Sequence, residues 1–252
     1  MKEHLIQDFA ERVVMITGAS RGLGRATAER FLARGARVAV NVRTRERAEA
    51  LVQELGTNSH PAPGDIRDLR TVHALVASIV KHFGRLDVLV NNAAIASPTR
   101  FEELTEEEWR ATIDTNLTAA FFCSQAVVPV MKSQHYGRMI NVSSLAGRSV
   151  STLAGAHYTA SKAGLLGLTR AAAKELGVYG ITVNSIAPGL FDTELTRANA
   201  SEERLDAVKQ NWPIARLGKP EEVADLICFL ASESAGYITG ASFDINGGSL
   251  MI

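Results

Sequence analysis

Cysteine, excess charge and long apolar runs are all scarce in this sequence. Cys123 and Cys228 are the only cysteines in 252 residues, which fits buried thiols in a reducing compartment and not a disulfide framework or a metal site. Lys and Arg total 27, as do Asp and Glu, so neither nucleic acid nor a membrane surface is expected as a partner. No run approaches the roughly 20 apolar residues of a membrane span. Residues 1–12 are charged and lack an apolar signal core, so we expect a cytoplasmic protein.

Short apolar runs alternate with longer helical patterns along the chain. The runs predict buried strands at residues 13–17, 37–42, 88–91, 139–142, 182–186 and 242–246. The helical patterns lie at residues 26–34, 45–54, 69–82, 106–131, 156–178 and 220–230. Such alternation produces right-handed βαβ units and a parallel sheet. Residues 1–252 contain no linker or repeat, so we predict a single doubly wound α/β domain with about seven parallel strands and helices on both faces.

A glycine-rich loop follows the first predicted strand and opens the first helix. Glycines allow a tight turn and a close approach of the backbone to a pyrophosphate, and a helix N-terminus offers free N–H groups. The spacing differs from Gly-x-Gly-x-x-Gly, and no Gly-Lys-Ser/Thr follows as in a P-loop. The loop therefore predicts a phosphate-binding turn, with a turn that binds nothing as the simpler alternative. Its sequence is Thr17-Gly18-Ala19-Ser20-Arg21-Gly22-Leu23-Gly24.

Tyr158 and Lys162 stand four residues apart in an alanine-rich helical pattern, so both lie on one helix face. An ammonium beside a phenol favours the phenolate, and we expect Lys162 to lower the pKa of Tyr158 from its usual value of about 10. Tyr158 would then donate or accept a proton near neutrality. Alone, this spacing arises by chance in many helices, and most such pairs lie on a solvated surface.

Five motifs together resemble the short-chain dehydrogenase/reductase family over about residues 12–248. They are the glycine loop, the Tyr158/Lys162 pair, Asn91-Asn92-Ala93-Ala94, Asn116 and Pro188-Gly189. The resemblance implies a Rossmann-type domain that binds a nicotinamide dinucleotide. It also implies an oxidoreductase that moves a hydride to or from a carbonyl carbon.

The resemblance assigns the catalytic roles residue by residue. Tyr158 is the implied general acid in reduction, and Lys162 lowers its pKa and reaches the nicotinamide ribose. Ser144 is the implied hydrogen-bond donor to the carbonyl oxygen, with the adjacent Ser143 as the competing choice. Asn116 is implied to hold a water that connects Lys162 to solvent, with a purely structural amide as the alternative.

The resemblance also assigns contacts to the dinucleotide. Asp65, beside Ile66, matches an acid at the adenine, although an ordinary turn aspartate is the simpler interpretation. Thr193 and the Pro188-Gly189 pair match a segment at the nicotinamide, and that pair is also typical of a plain turn. The implied set is Gly18, Ser20, Arg21, Gly22, Leu23, Gly24, Arg43, Asp65, Ile66, Asn92, Ala93, Tyr158, Lys162, Pro188, Gly189 and Thr193, with no metal ligand.

The end of the second predicted strand bears on the choice of cofactor. A protein that prefers NAD carries an acid there to bind the ribose 2′-hydroxyl. This sequence has Val42 and then Arg43, and Arg21 stands in the glycine loop. Two guanidinium groups suit a 2′-phosphate through charge-assisted hydrogen bonds. We therefore expect NADP(H) in preference to NAD(H), with two solvated arginines as the alternative.

The predicted activity is NADPH-dependent reduction of a ketone, either a 3-oxoacyl thioester or a similar small keto substrate. Several segments resemble the 3-oxoacyl-carrier-protein reductases of the family. These are expected to present basic residues at the mouth of the site, and His135 and Tyr179 stand at the comparable positions, which disfavours an acyl-carrier partner. An NAD-dependent sugar or alcohol dehydrogenase is the alternative, and a dinucleotide sensor without turnover is a third hypothesis.

Residues 190–212 are predicted to form a lid over the substrate. Phe191, Leu195 and Trp212 would line an apolar pocket or pack the lid onto the body. Arg197 and Arg204 would meet an anion or also pack the lid onto the body, and we favour packing for all five residues. The family resemblance further implies a homotetramer in which the helices at 106–131 and 156–178 pair between subunits.

Overall fold

A seven-stranded sheet crosses the computed structural model, which describes residues 7–252. The strands are β1 (Val13–Thr17), β2 (Arg37–Val42), β3 (Ser59–Pro63), β4 (Val88–Asn91), β5 (Gly137–Val142), β6 (Ile181–Pro188) and β7 (Ser242–Ile245). They lie in the order β3-β2-β1-β4-β5-β6-β7, and all neighbours are parallel. The predicted doubly wound parallel sheet is therefore confirmed.

Helices cover both faces of the sheet. They are α1 (Gly22–Ala33), α2 (Arg45–Leu55), α3 (Leu69–Phe83), α4 (Glu106–Ile113), α5 (Ala119–Gln134), α6 (Ala156–Leu176), α7 (Glu194–Asn199), α8 (Glu202–Lys209) and α9 (Pro220–Ala231). Side chains of α1, α2 and α9 pack in one apolar core, and those of α3, α5 and α6 pack in the other. Within residues 7–252, no helix combines the length and apolarity needed to cross a membrane.

Strand β1 shows why the strands are apolar almost throughout. Successive side chains point to opposite faces of a strand, and here both faces are covered. Val14 and Ile16 belong to the core that contains Phe31 of α1, whereas Val13 and Met15 belong to the other core. All four are fully buried, and each such side chain contributes about 1.5–3 kcal/mol of transfer free energy.

Strand β3 was not predicted, and its composition explains why. Its sequence is Ser-His-Pro-Ala-Pro, and proline lacks the N–H that a central strand needs. The strand lies at the edge of the sheet and, within residues 7–252, pairs only with β2, with Pro61 opposite Val40 and Pro63 opposite Val42. An edge position tolerates these prolines because no second neighbour needs their N–H groups.

The helix predicted at residues 106–131 is interrupted. A π-helical turn at Asp114–Thr118 separates α4 from α5. Such turns are rare and occur frequently at functional sites. This turn contains Asn116, whose side chain is bonded to the segment that follows β4.

The chain reverses its winding direction between β1 and β4. From β1 it moves outward through β2 to β3, and it then returns to place β4 on the other side of β1. In open parallel sheets, ligands bind outside the carboxyl ends of the strands at such a switch point. The loops after β1 and β4 are therefore the expected binding edge.

Candidate active site

The glycine loop passes close beside the loop that follows β4. Gly18 has φ +65°, and a Cβ there would lie 2.9 Å from Ala93 Cα. A Cβ on Gly24 would lie 2.4 Å from the Gly18 carbonyl oxygen. The Asn92 amide donates to the carbonyls of Thr17 and Gly18, at 2.9 and 3.1 Å. Only glycine fits at these positions, and the two loops form one rigid rim.

Helix α1 presents its N-terminus to the cavity at this rim. The helix begins at Gly22, and the preceding Arg21 is extended and forms no side-chain cap. Its first N–H groups and their partial positive charge are thus available to an anion. The cavity holds about 680 Å³, which suits a ligand of dinucleotide size. The glycine cradle, the uncapped helix and the volume all fit a pyrophosphate.

Asp65 and Ile66 lie in the same cavity, beyond the end of β3. The Asn41 amide donates to the carbonyls of Ala62 and Gly64 and fixes this turn. The Asp65 carboxylate accepts hydrogen bonds from the Arg67 side chain, which lowers its pKa below the usual value. Asp65 is predicted to contact the adenine. In this structure its carboxylate accepts hydrogen bonds from Arg67, and that pairing was not predicted from the sequence.

Basic side chains line the cavity at the end of β2. Val42 ends the strand, and Arg43 and Arg47 follow it, with Arg21 from the glycine loop. Thr44 caps α2 by accepting from the backbone N–H of Arg47. Arg47 was not predicted as a site residue because it lies on a helix whose orientation is not evident from spacing.

Tyr158 lies two residues inside α6 and faces the cavity, together with Ser144 at the end of β5. Burial raises the pKa of Tyr158 above its usual value, and contact with the Ser144 hydroxyl opposes that shift. The expectation that Lys162 lowers this pKa is wrong for this structure. The Lys162 ammonium lies 5.6 Å from the centre of the Tyr158 ring and does not contribute to the shift.

Lys162 is almost completely buried, at 2% exposure. Its Nζ donates to the Val142 carbonyl at 2.7 Å. Burial lowers its pKa to about 7, because an ammonium removed from water loses its solvation. Lys162 is therefore poised to gain or lose a proton near neutrality.

The two candidate serines have different partners. The Ser143 hydroxyl donates to the Lys162 carbonyl at 2.7 Å, so its proton is already used. Ser144 accepts from the Ala146 N–H at 3.1 Å, which leaves its own proton available. This geometry favours Ser144 over Ser143 as a donor to a carbonyl.

Asn116 is 1% exposed and does not line the cavity. Its amide oxygen accepts from the Ile95 N–H at 2.8 Å, and its Nδ2 donates to the Ile95 carbonyl at 2.9 Å and to Ser161 Oγ at 3.1 Å. The amide thus fixes the backbone after β4 to α6. The predicted water relay stays a prediction.

The remaining predicted contacts surround the same space. Ala93 N–H donates to Thr17 Oγ1 at 3.1 Å, and Gly189 N–H donates to the Ile245 carbonyl at 2.9 Å. Thr193 caps α7 by accepting from the Thr196 N–H. Apart from Asn116, every predicted site residue lines the one cavity: Gly18, Ser20, Arg21, Gly22, Leu23, Gly24, Arg43, Asp65, Ile66, Asn92, Ala93, Ser144, Tyr158, Lys162, Pro188, Gly189 and Thr193.

The segment predicted as a lid contains α7 and α8. Phe191, Leu195 and Trp212 line the cavity, which was the less favoured alternative, and Phe191 is also buried in an apolar core, as favoured. Arg197 pairs with Asp192 and Glu202, and Arg204 donates to the Thr152 carbonyl at 2.6 Å. Arg204 therefore attaches the segment to the body, as favoured, whereas both partners of Arg197 lie within the segment itself. Ile95, Val150 and Leu153 also line this part and were missed, because their loops carry no motif.

His135 and Tyr179 do not lie at the mouth of this cavity. His135 precedes β5 and Tyr179 precedes β6, at the edge of the sheet opposite Ser144. Lys132 lies 3.9 Å from the centre of the Tyr179 ring. Within one chain, these positions therefore lie away from the cavity, and the argument drawn from them stays a prediction.

A family model described as "Enoyl-(Acyl carrier protein) reductase" matches residues 18–249. This range covers most of the chain and both motif-bearing ends of the cavity. The chain belongs to the short-chain dehydrogenase/reductase family. Like other members of this family, it is an NAD(P)-dependent oxidoreductase.

Relatives in the short-chain dehydrogenase/reductase family match almost the full length. A 3-oxoacyl-[acyl-carrier-protein] reductase of Staphylococcus aureus is 42% identical over 241 residues, which cover 94% of this chain and 97% of the relative. The structure of a putative gluconate dehydrogenase from Agrobacterium tumefaciens has a TM-score of 0.92 at 34% identity, covering 99% and 100% of the two chains. A 3-oxoacyl-[acyl-carrier protein] reductase from Brucella melitensis with bound NAD has a TM-score of 0.90 at 34% identity, covering 98% and 94%.

Proposed function

We propose that this protein is an NADPH-dependent reductase of a small, uncharged ketone, with 3-oxoacyl esters and thioesters as the first candidates. The observation that carries the proposal is the single cavity in which the glycine loop, Ser144, Tyr158 and Lys162 meet. A bound nicotinamide supplies the hydride. The chain supplies orientation, a proton and stabilisation of the developing charge.

Each polar group at the catalytic end has a distinct role in this proposal. Tyr158 donates its phenolic proton to the carbonyl oxygen. The free Ser144 proton makes a second hydrogen bond to that oxygen as negative charge develops. Lys162, held by the Val142 carbonyl, contributes to cofactor binding by reaching the ribose hydroxyls of the nicotinamide.

The direct test is Tyr158→Phe, assayed on a panel of ketones at the nicotinamide absorbance. We expect NADPH affinity within twofold of wild type and a fall in kcat of about 10²–10⁴-fold, the usual contribution of a general acid. Tyr237→Phe is the matched control, because Tyr237 is fully exposed and does not line the cavity. A Tyr158→Phe protein that keeps most of its turnover contradicts the assignment.

The preference for NADPH is supported by the cations around the end of β2. Arg43, Arg47 and Arg21 line that part of the cavity, and Val42 stands where an acid would select NAD. The Brucella melitensis relative has a structure with bound NAD. Turnover with NADPH and with NADH therefore has to be compared directly. We expect kcat/KM to favour NADPH over NADH.

Arg43→Ala should reduce that preference by roughly 10- to 150-fold, since a hydrogen bond to a charged group contributes about 1.5–3 kcal/mol. Arg45→Ala is the matched control, because Arg45 lies on α2, pairs with Glu49 and does not line the cavity. Preference for NADH in the wild type overturns the cofactor proposal.

The substrate half of the cavity supports an uncharged ketone. Its lining includes Ile95, Val150, Leu153, Leu195 and Trp212. Among the described lining residues, the charged ones other than Lys162 lie along the nucleotide half. A sugar acid would leave its carboxylate there without a cation, which is costly away from water. This disfavours gluconate-like substrates, which serve as the negative test compounds.

The surface beside the substrate half is acidic. Residues 100–110, which follow the lining segment, carry five glutamates and two arginines, and residues 190–212 carry five acids and three bases. An acidic carrier protein would be repelled by such a surface. We therefore propose that the substrate is presented free. The same 3-oxoacyl group should react better on a small thioester than on an acidic carrier, and salt should improve the carrier-borne reaction by screening repulsion. A preference for the carrier that salt weakens contradicts this proposal.

We also propose a cytoplasmic homotetramer with residues 190–212 acting as a lid. Cys123 and Cys228 are buried free thiols, as expected in a reducing compartment. Trp109 and Phe121 expose 41% and 44% of their surface on α4 and α5, where a second copy would cover them. Light scattering of wild type and Phe121→Glu tests the assembly, and a wild-type monomer contradicts it.

A further inference from the structure

A buried histidine adjoins Tyr158 but has no role in the proposed proton transfer. His157 is the second residue of α6 and is 0% exposed. Its Nε2 lies 2.9 Å from Ser97 Oγ. The hydroxyls of Ser97 and Thr99 both donate to Glu108 Oε1. These four residues, the His157 cluster, connect the segment after β4, helix α4 and the N-terminus of α6.

The hydrogen-bond partners determine which nitrogen of His157 carries the proton. Ser97 has one hydroxyl proton and gives it to the Glu108 carboxylate, which can only accept, so Nε2 must donate to Ser97. Nδ1 is buried and has no partner within residues 7–252. A second proton would place a buried N–H there without an acceptor, which is unfavourable. Burial also lowers the pKa of His157, against the opposing effect of Glu108, and both observations favour the neutral imidazole.

The segment that this cluster holds forms a wall of the substrate half. Ile95 and Ala96 line the cavity immediately before Ser97. The backbone of Ile95 is bonded through Asn116 to Ser161, whose hydroxyl donates to the Tyr158 carbonyl at 2.8 Å. One end of the wall is therefore fixed to the turn of α6 that contains the phenol.

The other end of the wall is fixed by Ser97. Its carbonyl accepts from the Gly155 N–H at 2.8 Å, and its side chain accepts from His157. The fit is tight, because a Cβ on Gly155 would lie 2.5 Å from the Thr99 carbonyl and 2.9 Å from the His157 ring. The wall is thus attached to α6 on both sides of Tyr158, and His157 is the side-chain attachment at the outer end.

We propose that His157 is a positioning residue that holds the wall formed by residues 95–99 at the distance from Tyr158 that a ketone requires. The proposal rests on the proposed reduction at Tyr158. A misplacement of about 1 Å can reduce the rate by roughly 10²-fold. Loss of the Ser97–His157 bond should therefore lower kcat and raise the KM of the ketone. Cofactor binding should be unchanged, because the glycine loop contacts none of the four residues.

Four variants test this role. His157→Leu removes the donor, His157→Gln keeps an amide donor that reaches Ser97, and Ser97→Ala removes the acceptor but leaves its backbone bond to Gly155. Ser59→Ala is the matched control, because Ser59 is a similarly buried hydroxyl on β3, bonded to the Gly56 carbonyl at 2.6 Å. Each variant is measured for kcat, both KM values and hydrogen–deuterium exchange of residues 95–99.

We expect His157→Leu and Ser97→Ala to lower kcat about 10- to 100-fold, to leave the KM of NADPH within twofold, and to increase exchange of residues 95–99. His157→Gln should stay within about threefold of wild type. The double variant His157→Leu/Ser97→Ala should be no worse than Ser97→Ala alone, because Ser97→Ala already removes the Ser97–His157 bond together with the Ser97–Glu108 bond. If His157→Leu does not fold, Ser97→Ala carries the test.

Full kcat with an unchanged ketone KM in Ser97→Ala overturns the positioning role. Equal losses in His157→Gln and His157→Leu also overturn it, because they would show a need for imidazole and not for the bond. If the wild-type protein reduces no ketone, the proposed function is wrong, and the positioning role is not what has failed. In that case the exchange data still report whether His157 holds the wall.

Discussion

The Gly24→Ala substitution tests whether the glycine loop binds the dinucleotide. The added Cβ would lie 2.4 Å from the Gly18 carbonyl oxygen and 2.5 Å from Asn92 Nδ2. Ordinary contact begins at 3.4 Å, so the loop has to move by about 1 Å. One obstructing group is a backbone carbonyl, and the other is a side-chain amide that two hydrogen bonds hold in the rim between the loops after β1 and β4.

The cost of that movement follows from the contacts that it disturbs. Asn92 Nδ2 donates to the carbonyls of Thr17 and Gly18, and one lost hydrogen bond costs about 0.5–1.5 kcal/mol. Overpacking adds about 1–3 kcal/mol. The total of roughly 2–4 kcal/mol destabilises the loop conformation that binds NADPH. At ~1.4 kcal/mol per factor of ten, it weakens NADPH affinity by about 30- to 700-fold.

Calorimetric titration of the folded variant with NADPH measures this effect directly. Gly177→Ala is the matched control, because a Cβ there meets nothing within 4 Å and its φ of −56° suits any residue. The control should bind NADPH within twofold of wild type. Affinity within threefold of wild type in Gly24→Ala would refute the assignment of this loop to the dinucleotide.

Four further substitutions have outcomes that the structure predicts. Ser144→Ala should lower kcat about 10²–10³-fold, whereas Ser143→Ala should mainly cost about 1 kcal/mol of stability; equal kinetic losses would contradict the distinction. Lys162 has a folded pKa of about 7, below its unfolded value of about 10.5. The unfolded chain therefore binds the extra proton in that window, and wild-type unfolding free energy should rise by about 1.4 kcal/mol per pH unit from 7.5 to 9 relative to Lys162→Met. The free energies of unfolding of both proteins are measured with denaturant at each pH. If they change with pH in parallel, the prediction is refuted. Asp87→Ala should cost about 2–4 kcal/mol, because the buried carboxylate accepts from the Val13 N–H and pairs with two arginines; a melting temperature within 2 °C or so of wild type would contradict it.

The sequence predicted the elements whose signals are local. Apolar runs such as Val13–Thr17 are buried on both faces, and both their periodicity and their composition predict a buried strand. The glycine loop and the Tyr158/Lys162 pair were recognisable because their chemistry needs fixed spacing along one turn or one helix. These are the parts of the site that short-range geometry determines.

Other parts depend on contacts between distant segments. Strand β3 was hidden by Pro61 and Pro63, whose acceptability depends on having a single neighbour. The partners of Asn116 lie 21 and 45 residues away, at Ile95 and Ser161, and no spacing rule predicts them. The pKa of Tyr158 was predicted in the wrong direction, since spacing alone does not show that Lys162 is turned toward Val142.

The prolines of β3 also affect how the molecule meets its own copies. An exposed edge strand offers unpaired N–H and C=O groups to any extended chain, which is a common route to aggregation. Two of the five residues of β3 have no N–H, so this border of the sheet cannot template a continuous ladder. A strand from another molecule can therefore extend the sheet more readily beside β7 than beside β3. Substitutions meant to improve solubility should be made at the β7 edge.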